Sequence, residues 1–503
     1  MRALPIVVRA LLGAAAFLAG CGDNLHPARD GAVGDGPGPD GAGTDAATAD
    51  GPAGDGPVTD GPLADAPPPD APPPDAPPPV TSVWVFGDFL SNNLAQLGRF
   101  VHETATPPLT LTPIPATGGL NNDDFPIPFS ISADDATLAY SASSTVPNRF
   151  DLYVANADGS NAVVVYQAPL MVTITDVALS PDKTKIAFRA SGELPMMFDV
   201  YVATATAGAT PVKVSPDRTV PNVNLSASHF LVWSPDSRHL LFGGDFHVDK
   251  EVELWSADTA TVQPTATPLL TDAQIEVTTD PRGVLEPFAA FTAGGKVVFQ
   301  ARIGTDGFRH LYEVDPGGTG FRVLPGSTIT RTDNSPSESR TFGLSPDRAT
   351  IAFGADGILA GAFEIYTMPA DGSAAPARIT AGTAVAGREP NRFQPLFFSP
   401  DGQQVAFVAD YDVNDKEQPW VAALGAQSPH RLAVIGGAAD AGRDVMRLAW
   451  TRDGASIYAI ADADTDNDFK LYRLEAAMTD QTPVLYVDVP MSGDVFNVVT
   501  RFP

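Results

Sequence analysis

The residues best placed to do chemistry are two runs of alternating acids, Asp410-Tyr-Asp412-Val-Asn414-Asp415 and Asp462-Ala-Asp464-Thr-Asp466-Asn467-Asp468. Oxygen ligands at alternate positions suit a hard cation such as Ca²⁺, so Asp410, Asp412, Asp462, Asp464 and Asp466 are the candidate calcium ligands. In the second run Asn467 stands where a calcium loop wants glycine, and Arg473 where it wants a bidentate glutamate. Those departures favour solvated turn carboxylates over a metal site, and no other cofactor is expected. His229, His239 and His247 match no zinc spacing, with the first and third expected at one end of the fold and His239 at the other. Arg340, Arg388 and Arg392 fall in expected loops and could grip anionic groups, although locally paired, solvated arginines are the usual outcome. The chain has no Gly-x-Ser-x-Gly elbow, no His-Glu-x-x-His and no Gly-rich phosphate loop, so no catalytic residue is assigned.

The only cysteine closes the run Leu18-Ala19-Gly20-Cys21, which follows Arg2, Arg9 and the apolar stretch Ala10–Leu18. That stretch is too short to span a membrane as a mature helix and reads as the apolar core of a signal peptide. The four residues resemble the lipobox of bacterial lipoproteins. The resemblance implies cleavage before Cys21, acylation of its thiol and firm attachment through several acyl chains. It also favours the outer membrane, because Gly22 rather than Asp follows the cysteine. With its one thiol acylated, the mature chain has no disulfide, and its stability must come from core burial.

Residues 1–20 are thus expected to be a signal peptide, 21–79 the lipidated cysteine with a tether, and 80–503 the folded domain. From Asp30 to Asp75 an aspartate recurs at every fifth position, in units that run from DGAVG and DGPGP to DAPPP. Such a segment has almost nothing to bury and repels itself, so disorder is expected, coil-like where Gly-rich and stiffer where Pro-rich. As a coil it would reach about 45 Å on average. Residues 80–503 carry 49 acids against 28 basic residues, a formal net charge of −21. A domain with that field repels nucleic acid and anionic lipid headgroups, which excludes nucleic acid as a partner.

The elements that must position the acidic runs come from a repeat. Ser180-Pro181-Asp182, Ser234-Pro235-Asp236, Ser345-Pro346-Asp347 and Ser399-Pro400-Asp401 read as tight turns, with weaker copies at Ser132-Ala133-Asp134, Thr292-Ala293-Gly294 and Thr451-Arg452-Asp453. Successive copies lie 48 to 58 residues apart. Each has a short apolar strand before it and an aliphatic-Ala-aromatic strand after it, as in Ile186-Ala187-Phe188 or Val405-Ala406-Phe407. A third strand such as Asp199-Val-Tyr-Val and a short fourth follow, while helical period is nearly absent. Four strands per repeat describe a β-propeller blade. Phe398-Ser-Pro-Asp-Gly402 and Leu152-Tyr-Val-Ala-Asn-Ala-Asp-Gly-Ser-Asn161 resemble the propeller repeats of TolB-like proteins, over about residues 125–490. That resemblance implies an all-β propeller and leaves function open, because the blade is widely reused. The small α/β domain that precedes the TolB propeller is replaced here by the tether, which puts a Tol role in doubt.

Residues 83–114 fit strands two, three and four of a further blade, and Asp494-Val-Phe-Asn-Val-Val-Thr-Arg501 parallels Asp444-Val-Met-Arg-Leu-Ala-Trp-Thr-Arg452. The expected fold is therefore an eight-bladed ring closed by its two ends, with seven blades and unrelated flanks as the alternative. Loops joining strands two and three, and those joining successive blades, share one face, where a partner is expected. Propellers of the prolyl oligopeptidase type are followed by a hydrolase domain, and none is expected after Pro503. These features lead to an expectation of a monomeric, non-catalytic binding or scaffold lipoprotein of the cell envelope, taking a protein or other ligand on its loop face. The alternative is a propeller enzyme, a metal-dependent lactonase or lyase, with its site at the channel mouth.

Overall fold

Each repeat opens with a turn that its own side chains build. In the turn after Phe398, Ser399 Oγ donates to Asp401 Oδ1 at 2.5 Å and accepts the Gln404 N–H at 2.9 Å. The same carboxylate accepts the Gln403 N–H at 3.0 Å, and the Gly402 N–H closes on the Ser399 carbonyl at 2.8 Å. Gly402 has φ +69°, and its counterparts Asp135, Lys183, Ser237, Gly295, Arg348 and Gly454 are left-handed as well. Ser132, Ser180, Ser234, Ser345 and Thr451 repeat the hydroxyl–carboxylate bond to Asp134, Asp182, Asp236, Asp347 and Asp453. The copy at Thr292 has Gly294 in place of the acid and is one residue shorter, closing on the Lys296 carbonyl.

The computed structural model describes residues 82–87, 96–101, 107, 111, 114, 129–143, 149–191, 197–217, 227–244, 246, 253–261, 264–270, 285–303, 308–382, 389–391, 394–413, 416–435, 445–463, 468–487 and 495–500. The expected signal peptide, Cys21 and the tether lie outside the described residues, as do Asp464, Asp466, His247, Arg388 and Arg392.

Eight antiparallel sheets follow one another along the chain, and no helix occurs among the described residues. Blade 1 joins Val495–Thr500, Ser82–Gly87 and Gln96–Val101, in that order from the inside. The other seven have four strands each. Blade 2 comprises Phe129–Ile131, Thr137–Ser143, Phe150–Asn156 and Val163–Tyr166, and blade 3 Ile174–Leu179, Lys185–Ser191, Phe198–Thr204 and Val212–Lys213. Blade 4 takes Ala227–Trp233, His239–Gly244, Glu253–Asp258 and Ala266–Pro268, and blade 5 Leu285–Phe291, Val297–Ala301, His310–Val314 and Arg322–Val323. Blade 6 is Ser339–Leu344, Thr350–Leu359, Ala362–Pro369 and Ala377–Arg378, and blade 7 Phe397–Phe398, Gln404–Ala409, Gln418–Ala423 and His430–Arg431. Blade 8 consists of Val445–Trp450, Ser456–Ala461, Lys470–Glu475 and Val484–Val487. The expected eight-bladed, all-β architecture is the one observed.

The aliphatic-Ala-aromatic signature of the second strand has a packing cause. Side chains alternate across a strand, so Ile186 and Phe188 of blade 3 face blade 2, where Ala139 and Leu152 complete the same buried cluster. Ala187 points the other way, toward Leu240, Phe242 and Trp255 of blade 4. In blades 2, 3, 6 and 7 a small residue on one side of the blade, Ala139, Ala187, Ala352 or Ala406, thus makes room for the side chains of the next. The join between blades 8 and 1 inverts the sizes: Tyr458 stands at the alanine position, and Val83 and Val85 replace the bulkier pair opposite it. Phe100, Tyr458 and Tyr486 fill this join with ring centroids 5.2–5.9 Å apart.

Ring closure follows the expected route. Val83, Trp84, Val85 and Phe86 pair with Thr500, Val499, Val498 and Asn497, so the last strand in sequence is the innermost strand of the first blade. Of the expected fourth strand, Leu109–Ile114, only Leu111 and Ile114 are among the described residues; both are buried, and the Ile114 N–H donates to the Leu97 carbonyl at 2.8 Å. The innermost strands also begin earlier than their apolar cores suggest, at Ile174 rather than Val177 and at Ser339 rather than after Arg340.

Candidate functional site

Because the strands alternate in direction, the connections between second and third strands lie at the end of the ring opposite the Ser-x-Asp turns. The second strands of blades 6, 7 and 8 leave toward that end through the same dipeptide: Ala355-Asp356, Ala409-Asp410 and Ala461-Asp462. All three aspartates are buried. Asp410 Oδ1 accepts the Glu389 N–H at 2.5 Å, and the Asp410 N–H returns to the Glu389 carbonyl at 3.2 Å. Asp356 makes the same two-way clasp with Glu338, at 2.7 and 3.3 Å. In blade 3 Ser191 takes the role, its hydroxyl accepting the Thr173 N–H at 2.8 Å. The first acid of the Asp410 run is therefore a clamp between the end of strand two and the start of strand one, and Asp462 is buried at the equivalent place in blade 8. Sequence reasoning missed this clamp, yet a signal existed: Asp356 occupies the same place with no acidic run behind it.

Asp412 goes elsewhere. It is ion-paired with Arg431, whose Nε also meets Asp480 at 2.7 Å. The hydrogen bond to Asp480, with the nearby Asp412 charge, raises the Arg431 pKa, and the same bond lowers that of Asp480. Asp410 and Asp412 are thus two residues apart with separate partners. Asp464 and Asp466 lie outside the described residues. Among the described residues no three His, Cys, Asp or Glu side chains gather as a metal ion would need.

The arginines are organised by acids. Arg340, at the start of the innermost strand of blade 6, pairs with Glu389, reaches Glu338 at 3.5 Å and lies 4.1 Å above the Phe363 ring. Glu338 also meets Arg309 at 3.4 Å and Arg302 at 3.8 Å, so one carboxylate gathers three guanidiniums. Behind it, Arg331 and Asp356 form an ion pair of 2.7 Å with side chains only 7% and 4% exposed. Asp333 beside them is held at about 2 by hydrogen bonds from Ser335 and Arg331. Burying such charges is costly unless each is paired, and here each has its counter-charge.

Nearer the axis, the innermost strands of blades 3, 4, 5, 6 and 8 each break register close to this end. At one such bulge Thr341 has φ +41° and donates its hydroxyl to the Gln394 carbonyl, while Gln394 Nε2 donates to the Val445 carbonyl at 2.9 Å. Blades 6, 7 and 8 are stitched together in this way beside the channel. In blade 3, Arg189 donates to Thr175 at 2.8 Å and stacks 3.8 Å over Phe198. His229 belongs to the innermost strand of blade 4, and His239 begins the second strand at the turn end. Among the described residues the arrangement offers a rim of paired charges.

An eight-bladed β-propeller with ion-paired loop ties is the class of protein these features define. No protein-family model matches the chain, and no curated protein is similar to it. Among solved structures it is similar to dipeptidyl peptidase 4 of Porphyromonas gingivalis, at 13% identity over 77% of this chain and a TM-score of 0.51. The chain spans little more than half of that peptidase, 56% of its length, so the likeness is one of fold. TolB from Acinetobacter baumannii matches at 17% identity over 70% of this chain and 67% of its own, with a TM-score of 0.33. The β-propeller domain of the Trilobed protease from Pyrococcus furiosus matches at 13% identity over 71% and 99%, with a TM-score of 0.38.

Proposed function

We propose that the chain is a lipid-anchored protein of the cell envelope whose propeller is a monomeric, non-catalytic binding or scaffold module. Its anchor is the acylated Cys21, with the outer membrane favoured by Gly22, and its partner is a protein or other ligand met by the loops opposite the turns. The observation that carries the reading is the use made of the charged groups there. Asp356 and Asp410 clamp strands, and Arg331, Arg340 and Arg431 tie loops through Asp356, Glu389 and Asp412 of the same face. Groups employed in this way fix a surface for display.

Two measurements test it. Exported behind an ordinary cleavable signal, the Cys21→Ser chain should lose the labelled fatty acid that the wild type incorporates while keeping its melting temperature. A wild-type chain that takes up no fatty acid, or uptake unchanged by the substitution, would refute the anchor. Calorimetry with Ca²⁺ or Mn²⁺ should give no shift in melting temperature; a shift abolished by Asp462→Ala with Asp464→Ala would move the reading to a metal-dependent propeller enzyme.

A further inference from the structure

Ten large apolar side chains are exposed among the described residues, and six of them, Leu170, Met171, Ile358, Leu359, Val413 and Val434, sit on the connections opposite the turns. Leu170 and Met171 are the most exposed, at 63% and 76%. They occupy the tip of a tight turn closed by the Val172 N–H on the Pro169 carbonyl, with Met171 at φ +69°, a conformation that a bulky side chain rarely adopts. Both feet of this turn are fixed: the Ala168 N–H is held by Asp151 at 3.1 Å and the Thr173 N–H by Ser191 at 2.8 Å. The second prominent tip, Ile358-Leu359 on the blade 6 hairpin, is held as firmly, by Thr332 Oγ1 on the Ile358 carbonyl and by the Gly361 N–H on Asp356, each at 3.1 Å. Strain and apolar exposure that persist on rigid supports call for an occupant.

We propose that this face docks on a zwitterionic lipid surface, with Leu170-Met171 and Ile358-Leu359 as its apolar contacts. One tip stands between blades 2 and 3 and the other on blade 6, about half a ring apart, so a flat extended surface meets both where a single pocket meets one. Among the described residues of this face Arg331–Asp356, Arg340–Glu389 and Arg431–Asp412 are ion-paired, which lowers the cost of laying it against a surface without net charge. The choice of occupant rests on the lipid-anchor reading, because residues 22–79 lead back to the acylated Cys21 and keep a bilayer within reach. Their average span of about 45 Å exceeds the roughly 20 Å height of six-residue strands, enough to lay either face down.

Residues 22–503 contain every described strand and neither the signal nor the acylated cysteine. This chain, sedimented with sucrose-loaded phosphatidylcholine vesicles, should be found in part with the lipid, and high salt should not release it. Leu170→Ser with Met171→Ser, and Ile358→Ser with Leu359→Ser, should each lower the partition coefficient about tenfold without moving the melting temperature. Met478→Ser, an exposed apolar residue at the turn end, should leave binding unchanged. Absence of the chain from the vesicle pellet, or binding indifferent to both double substitutions, overturns the docking proposal. So does loss of a dimer, without vesicle binding, in the same variants. None of these results touches the anchor, which is read separately from fatty-acid labelling of Cys21.

Discussion

At the turn end of the ring Ser180, Ser234, Ser345 and Ser399 make the same bonds, one to an aspartate two residues on and one from a backbone N–H five residues on. At the opposite end the clamp recurs, but its surroundings do not: Asp356 meets a buried arginine, Asp410 takes the backbone of Glu389, and blade 3 uses a serine. The repeated bonds of the turn end join neighbours in sequence, so they can be copied blade by blade. The clamps and ties of the loop end join residues 14 to 53 positions apart, as in Arg189–Thr175, Glu338–Asp356 and Thr341–Gln394, so each blade finds its own solution. Repetition belongs to local chemistry and individuality to long-range pairing.

The largest effect should erase this contrast altogether. Deleting Val495–Pro503 removes the innermost strand of blade 1, exposes the edge of Ser82–Gly87 and opens the join that Tyr458 fills. Insoluble protein, or a stability loss comparable to the whole of a domain's typical 5–15 kcal/mol, is expected, measured as soluble yield and melting temperature. Deleting residues 30–79 should barely move the melt, and a soluble C-terminal truncation with a wild-type melt would defeat the closure account.

Next in size is a loop-end substitution. Arg331→Ala strands the buried Asp356 carboxylate and should cost about 3–5 kcal/mol in denaturant unfolding. Adding Asp356→Leu should recover only part of it, because the Glu338 and Gly361 N–H groups lose their acceptor. Smaller and more uniform losses are expected at the turns. Ser180→Ala, Ser234→Ala, Ser345→Ala and Ser399→Ala should each cost about 1–2 kcal/mol and combine additively. A wide spread among the four would break the comparison.

The smallest effect is the response to acid. The Ser399 hydroxyl, against the opposing pull of burial, holds the Asp401 carboxyl below its ordinary value of 3.8. At Asp182 burial pushes upward, but the bonds from Ser180 and Thr184 outweigh it. A carboxyl that titrates lower in the folded chain stabilises the fold above its unfolded value and loses that contribution as pH falls through its folded value. Melting temperature should therefore fall as pH drops below about 4, and Asp401→Asn should flatten the decline slightly.

The turn motifs, strand order and closing strand were legible in the sequence because each is written in adjacent residues, as Ser399-Pro400-Asp401-Gly402 is. The alanine at the centre of the second strand was visible as a pattern, but its reason, the reception of the next blade's aromatic, required the neighbour to be in place. Alternation marks Asp410 and Asp462 as candidate ligands, but it carries no sign that both are buried or that Asp410 bonds the backbone of Glu389, 21 residues away. Arg340 looked like a loop residue because nothing local marks the strand that begins at Ser339.

The pairing of Ser82–Gly87 with Val495–Thr500 also sets a clock. The two strands are about 400 residues apart, and at about 5–20 residues per second the second emerges some 20–80 s after the first. Throughout that interval blades 2 to 7 have what they need to assemble in order, while the first blade waits with its inner edge unmade. Any factor that holds the emerging chain must therefore guard Ser82–Gly87 until Val495–Thr500 arrives, and completion of the ring waits on that strand.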